Sequence, residues 1–323
     1  MKKNRIGETD VAVTALSLGG ASLGNLGVAI SDDDATAVMA HAWDAGIRYF
    51  DTAPRYGRGL SEQRMGAFLR DRPRSDYVLS TKVGRVLTPG PALEEADGFI
   101  DPLPNAVHYD YTAAGIRESF EQSCARLGTD TIEIIYVHDI GDYTHGPETG
   151  ARYMEDLLGS GMGALQDLKR AGRIGAIGLG VNECEVCLDV MRHSPLDVIL
   201  LAGRLTLLDR GAEAGLLSAC RAQGTTLVLG GIFNSGILAT GPRPGAWFDY
   251  APASQEILDR VADLQRRAEA VGLTLAEAAV QFALHQPQTS SVLLGTGKVS
   301  SLQRNLDAAA LTLDDAARDF VTT

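Results

Sequence analysis

Eight short runs rich in Val, Ile, Leu and Ala recur along the chain, at 15–20, 47–51, 77–82, 132–138, 176–181, 198–202, 226–230 and 291–295. Their apolar residues are nearly continuous rather than alternating, the pattern of strands buried on both faces. Stretches of helical period separate them. Ser31, followed by Asp32, Asp33 and Asp34, reads as the cap of a helix that runs to Asp44 and closes at Gly46. Thr112 caps another, in which Ile116, Phe120, Cys124 and Leu127 share a face before Gly128. Further helices are expected through 165–170, 185–192, 212–221 and 300–309, with an extra helical stretch at 274–286 before the last strand. Alternation of this kind, repeated eight times, predicts an α/β fold, a closed (β/α)8 TIM barrel, with residues 1–323 as one domain. Three connections, at 84–111, 139–159 and 231–253, exceed ordinary loop length. In a barrel such loops, at the C-terminal strand ends, build the site.

Composition narrows the function. The chain has 29 Lys plus Arg against 41 Asp plus Glu, a formal charge of −12, which disfavours nucleic acid and anionic membranes as partners. Met1-Lys2-Lys3-Asn4-Arg5 leads into no apolar signal core, and no run approaches the ~18 apolar residues of a membrane span. A cytoplasmic location is the expectation. The four cysteines are too few for a disulfide frame. Cys184 and Cys187 form a lone CxxC with no second half to complete a metal site, and read as the buried side of a helix; no metal is expected.

Candidate chemistry sits where three strands end. Asp51, Lys82 and His138 close the second, third and fourth runs, and Tyr56 lies in the turn after Asp51. A phenol titrates near ~10 and is a poor base at neutral pH, but a neighbouring ammonium favours the phenolate. An aspartate paired with that lysine keeps it charged, and a histidine can hydrogen-bond the substrate oxygen. Together the four make a proton-transfer device.

These residues sit in strings that resemble the aldo-keto reductases over about residues 5–311: Gly19-Gly20, Phe50-Asp51-Thr52-Ala53, Tyr56-Gly57, Ser61-Glu62, Ser80-Thr81-Lys82, Tyr136-Val137-His138-Asp139, 177–182, Gly236-Ile237-Leu238, and Gly295 through Asn305. The resemblance implies Tyr56 as general acid/base, Lys82 and Asp51 as its tuners and His138 as the orienter of the carbonyl. It also implies a nicotinamide dinucleotide bound without a Rossmann fold. Asn182 would hold the carboxamide, and Phe233, Asn234, Ser235, Gly236 and Leu238 would belong to the loop crossing the pyrophosphate. Gly297, Ser301, Arg304 and Asn305 would hold the adenosine half, and Gly20 and Gly295 are assigned to the same cofactor site. The last helix start suits a phosphate independently of the resemblance.

The chain departs from the family pattern at Gly230, where a ring commonly stacks on the nicotinamide, and at Ala202, where a second carboxamide-binding side chain is common. Val181 replaces a common serine. Ser301 stands where NADP-selective members often carry a cation, so NAD is favoured, with NADP kept open by nearby Lys298 and Arg304. The strings 137–141, 178–183, 201–208 and 233–238 resemble the D-threo-aldose 1-dehydrogenase group, which includes L-fucose, L-galactose and pyridoxal 4-dehydrogenases. That implies oxidation of an aldose or similar cyclic hemiacetal to a lactone, Tyr56 acting as phenolate with an alkaline optimum. Leu205 replaces the branch's tyrosine and is expected to give an apolar pocket wall, with Trp247 on another. The alternatives are an NADPH-dependent aldehyde or ketone reductase, a non-catalytic nucleotide-sensing subunit, and a metal-dependent hydrolase using the stretch 138–145.

Overall fold

A computed structural model describes all residues, Met1–Thr323. Eight parallel strands form a closed barrel: Leu16–Gly19, Tyr49–Asp51, Val78–Val83, Ile132–His138, Ile174–Val181, Val198–Ala202, Thr226–Gly230 and Thr289–Gly295. The last strand closes on the first, Val292 opposite Leu16 and Gly295 opposite Gly19. Each of the eight predicted runs is a barrel strand. Register brings the chemistry to one rim, with Asp51 opposite Ser80, Lys82 opposite Tyr136 and His138 opposite Gly180.

Helices wrap the outside because their apolar stripes cover the outward faces of the strands. Ser31 caps Asp32–Asp44 by accepting from the Asp34 N–H, and Thr112 caps Ala113–Leu127 by accepting from the Gly115 N–H. The extra helix, Leu275–His285, carries a full capping box between Thr274 and Glu277. Cys184 and Cys187 flank the start of Glu185–Met191, and all four cysteines are buried free thiols. No helix is long and apolar enough to cross a membrane.

The base of the barrel is plugged by a hairpin that the sequence pattern does not announce, Lys3–Arg5 paired with Ala12–Thr14. Its Ile6, Val11 and Val13 pack with Tyr49, Ile134, Tyr136, Ala176, Val198, Leu200 and Val228. The lumen below the rim is therefore a packed core, not a pore.

The three long connections are not irregular. The first folds into two antiparallel ladders, Arg85–Pro89 with Asn105–Tyr109 and Glu95–Ala96 with Phe99–Ile100. The second holds the helices Asp142–His145 and Pro147–Asp156, which run on through a wide turn into Met162–Arg170. The third carries Ile237–Thr240 and a small hairpin, Trp247–Phe248 with Ala251–Pro252. These strands are short and pair locally, so they lack the continuous apolar runs that mark the barrel.

Candidate active site

The second strand ends at Asp51 and the third delivers Lys82 beside it. Lys82 Nζ donates to Asp51 Oδ2 at 2.8 Å and to the Thr52 carbonyl at 2.9 Å. Their side chains are 2% and 0% exposed, so this is an ion pair taken out of water. Ser80 Oγ donates to Asp51 Oδ1 at 2.7 Å; Tyr49 OH lies 3.0 Å from Ser80 Oγ and 2.9 Å from Tyr136 OH, extending the network down the lumen. Burial pulls the Lys82 pKa down, but the charges and hydrogen bonds of Asp51 and Tyr56 outweigh it and hold the ammonium above its ordinary value. Burial pushes the Asp51 pKa up, opposed by Lys82 and Ser80.

Tyr56 begins the tight turn after this strand, and its ring centroid is 4.7 Å from Lys82 Nζ. Burial raises the phenol pKa; the Lys82 ammonium lowers it, and Asp51 and Asp139 add to the rise. Two glycines hold this backbone close. A Cβ on Gly24 would stand 2.5 Å from the Tyr56 carbonyl carbon, and one on Gly57, itself at φ +62°, would stand 2.6 Å from the Gly24 oxygen.

His138, 5% exposed, presents its ring edge-on to Tyr56, with centroids 6.0 Å apart. Behind it, Arg85 Nη1 hydrogen-bonds His138 Nδ1, and Arg85 Nη2 donates to Asp139 Oδ2 at 2.7 Å. Tyr111 OH donates to the His138 carbonyl at 2.7 Å. Burial, and then the charges of Arg85, Lys82 and Arg55, push the His138 pKa well below its ordinary value, so the imidazole is neutral at pH 7. Glu62 is fully buried, accepting from Thr81 Oγ1 at 2.7 Å and from Arg126 Nε at 2.6 Å, and so ties the Lys82 strand to two helices. The sequence reading assigned no role to Arg85, Gly24 or Glu62. The signal for Arg85 was its place three residues past Lys82, just beyond the same strand end.

A model described as the Aldo/keto reductase family matches residues 15–319. The chain belongs to that family. Over 305 residues it is 42% identical to pyridoxal 4-dehydrogenase of Microbacterium luteolum, covering 91% of this chain and 89% of the relative. Over 292 residues it is 40% identical to D-threo-aldose 1-dehydrogenase of a Pseudomonas species, covering 88% and 86%. Among solved structures, the holo form of an aldo-keto reductase from Bacillus halodurans superposes with a TM-score of 0.77 at 26% identity, covering 99% and 95%. This aldo-keto reductase is an NAD(P)-dependent oxidoreductase acting on a small molecule.

The residues on the rim of this aldo-keto reductase fit such a cofactor. The helix Val299–Ala309 begins at Lys298 without a side-chain cap, leaving its first N–H groups for an anion. Arg304 and Ser301 lie on its first turns, joined by an Arg304 Nη2 to Ser301 Oγ hydrogen bond of 3.0 Å, and half-buried Asn305 follows. A Cβ on Gly295 would meet nothing within 4 Å, whereas one on Gly297 would press on Ile30 at 3.3 Å. Asn182 Nδ2 reaches the Ala202 carbonyl at 3.4 Å and Tyr250 OH at 3.3 Å, and Ser235 Oγ accepts from the Tyr250 N–H at 3.0 Å.

Other assigned residues are occupied by the fold itself. Asn234 accepts from Thr206 Oγ1 at 2.6 Å and donates to the Gly203 carbonyl at 3.1 Å, so its side chain staples the loop. Leu238 is buried, Phe233 half-buried, and Gly236 has the left-handed φ of +94° that starts the following helical turn. Gly20 is required by packing, since a Cβ there would stand 2.5 Å from Ser61 Oγ. Leu205, expected as an apolar pocket wall, is placed by the structure in the packed interior. It is 1% exposed and packs within the main core. Trp247 is 52% exposed on its hairpin. No group of three His, Cys, Asp or Glu side chains gathers in a way that could hold a metal ion.

Proposed function

We propose that this chain oxidises an aldose or a similar cyclic hemiacetal, pyridoxal-like compounds included, to the lactone, with NAD preferred over NADP. The observation that carries it is the Tyr56 phenol beside the buried Lys82–Asp51 pair, with a neutral His138 across from it. Such a substrate already bears a hydroxyl on its reacting carbon. The bound oxidised nicotinamide supplies the acceptor for the hydride from that carbon. Tyr56, as phenolate held by the Lys82 ammonium, accepts the hydroxyl proton as the C=O bond forms. Asp51 keeps Lys82 charged and aimed. His138 donates a hydrogen bond to the same oxygen and does not compete for the proton.

The rim supports the substrate class. Its four exposed aromatic side chains, Tyr109, Tyr143, Trp247 and Tyr250, are the exposed aromatics of the whole chain, and each lies in one of the three long connections. Flat apolar rings around a polar centre suit a sugar's C–H face or a pyridine ring. The activities of the two relatives, on pyridoxal and on D-threo-aldoses, agree with this. Ser301 in place of a cation, with Arg304 turned onto it, favours NAD. Residues 1–323 act as one domain, in the cytoplasm, without nucleic acid or membrane partners. Incubation with NAD or NADP against L-fucose, L-galactose, D-arabinose, glucose and pyridoxal, following the reduced cofactor's absorbance, tests the proposal. Turnover of one hemiacetal that is lost in Tyr56→Phe is expected; NADPH-driven reduction of simple aldehydes with no hemiacetal oxidation overturns it.

A further inference from the structure

We propose that Arg85 is a positioning residue that holds His138 as the neutral tautomer with its proton on Nε2. The proposal rests on the reading above, in which His138 donates a hydrogen bond to the reacting oxygen. A guanidinium carries five N–H donors, has no acceptor and does not deprotonate in proteins. Its Nη1 meets His138 Nδ1, so Nδ1 must offer a lone pair and the single ring proton must sit on Nε2. Protonating the ring would set an N–H against an N–H, so the imidazolium is excluded as long as Arg85 stays in place.

Arg85 is fixed for this task. Its side chain is 1% exposed, its Nη2 donates to Asp139 Oδ2 at 2.7 Å, and its carbonyl accepts from Ser119 Oγ at 2.9 Å. The Tyr109 ring lies 5.2 Å from the guanidinium carbon. Asp139 is itself held in a left-handed conformation, φ +46°, with its N–H on the Gly180 carbonyl at 2.9 Å. Its Oδ2 approaches His138 Nε2 only to 3.4 Å, longer than an ordinary hydrogen bond, which leaves the Nε2 proton for substrate. The charged and titratable groups around the ring are Arg85, Lys82, Arg55, Asp139 and Tyr56. Three of these are cations that disfavour a second ring proton. The arrangement uses a permanent cation where a carboxylate partner would put the proton on the opposite nitrogen and favour the imidazolium.

The test reads the tautomer directly. The full chain labelled with 15N-histidine gives long-range proton–nitrogen correlations for its six histidines, and His138→Asn identifies the signal. Expected is the Nε2–H pattern with no titration between pH 8 and 5. In Arg85→Met the signal is expected to become a tautomer mixture that titrates, and kcat for hemiacetal oxidation to fall about 100-fold with KM within a few-fold. Arg85→Lys, whose ammonium also only donates, is expected to keep the Nε2–H pattern and recover part of kcat. An Nδ1–H pattern in the unmodified protein, or an unchanged His138 signal in Arg85→Met, overturns the proposal. If Arg85→Met does not fold, the unmodified spectrum and Arg85→Lys decide it in the same way. An Nε2–H signal that responds to Arg85 in a protein oxidising no hemiacetal would leave the tautomer assignment standing and remove the proposed reaction.

Discussion

Asp51→Asn removes one charge from a place water does not reach. The Lys82 side chain is 2% exposed and its counter-charge is Asp51, 2.8 Å away. Breaking a buried pair by neutralising one member costs about 3–5 kcal/mol, because the remaining charge is left uncompensated. The asparagine oxygen can still accept a hydrogen bond, which places the expectation near the lower end, about 3 kcal/mol. With an unfolding entropy of ~2.1 cal/mol/K per residue, a chain this long has ~0.7 kcal/mol/K, so Tm at pH 7 should fall by ~4 °C. The deficit should also depend on pH. In the unmodified protein Lys82 is held above its ordinary pKa, so its stabilisation is complete below that value and fades only as pH rises through the folded one. Without Asp51, burial is opposed only by Tyr56, and the Lys82 pKa is expected to drop below its ordinary value. Between the two values the unfolded chain binds the extra proton, and the variant regains stability as pH rises. Calorimetric melts at pH 7 and pH 9.5 measure both effects, and Asp51→Asn with Lys82→Met should recover most of the loss. A Tm within 1 °C of the parent at pH 7, or a deficit independent of pH, would refute the reasoning.

Three further outcomes are expected. Gly24→Ala would place a Cβ 2.5 Å from the Tyr56 carbonyl carbon, so kcat should fall at least about tenfold while overpacking costs only about 1–3 kcal/mol in a denaturant titration; unchanged kcat would mean the turn yields freely. Because burial raises the Tyr56 pKa, hemiacetal oxidation should rise with pH through pH 9 in a kcat/KM profile, and a maximum below neutrality would contradict the phenolate role. Ser301→Arg supplies a cation beside Arg304 and should move the NADP to NAD ratio of kcat/KM by about tenfold toward NADP, a ratio that stays put if the adenosine half lies elsewhere.

The barrel was legible because parallel strands covered on both faces are largely apolar, and eight such runs recur, interrupted mainly near the rim where Asp51, Ser80 and Lys82 stand. The tetrad was legible because ionisable residues ending apolar runs, as Asp51, Lys82 and His138 do, have few other places to be. The hairpin at the base is too short for a periodic signal, and the ladders of 85–109 pair with each other rather than with the barrel. Gly24 escaped notice because its backbone conformation is ordinary; what demands glycine there is the Tyr56 backbone, a neighbour distant in sequence. The burial of Leu205 was not legible because a leucine's chemistry suits a core and a pocket wall equally, and only the packing shows where it lies.

The line of hydroxyls below Asp51 has a consequence for the proton's route. It runs from Ser80 to Tyr49 and stops at Tyr136, whose oxygen has no other partner, above the apolar hairpin that seals the base. Burial raises both phenols far above their usual pKa, so neither ionises to pass a charge downward. In the proposed reaction, a proton collected by Tyr56 would therefore leave by the rim and not through the base.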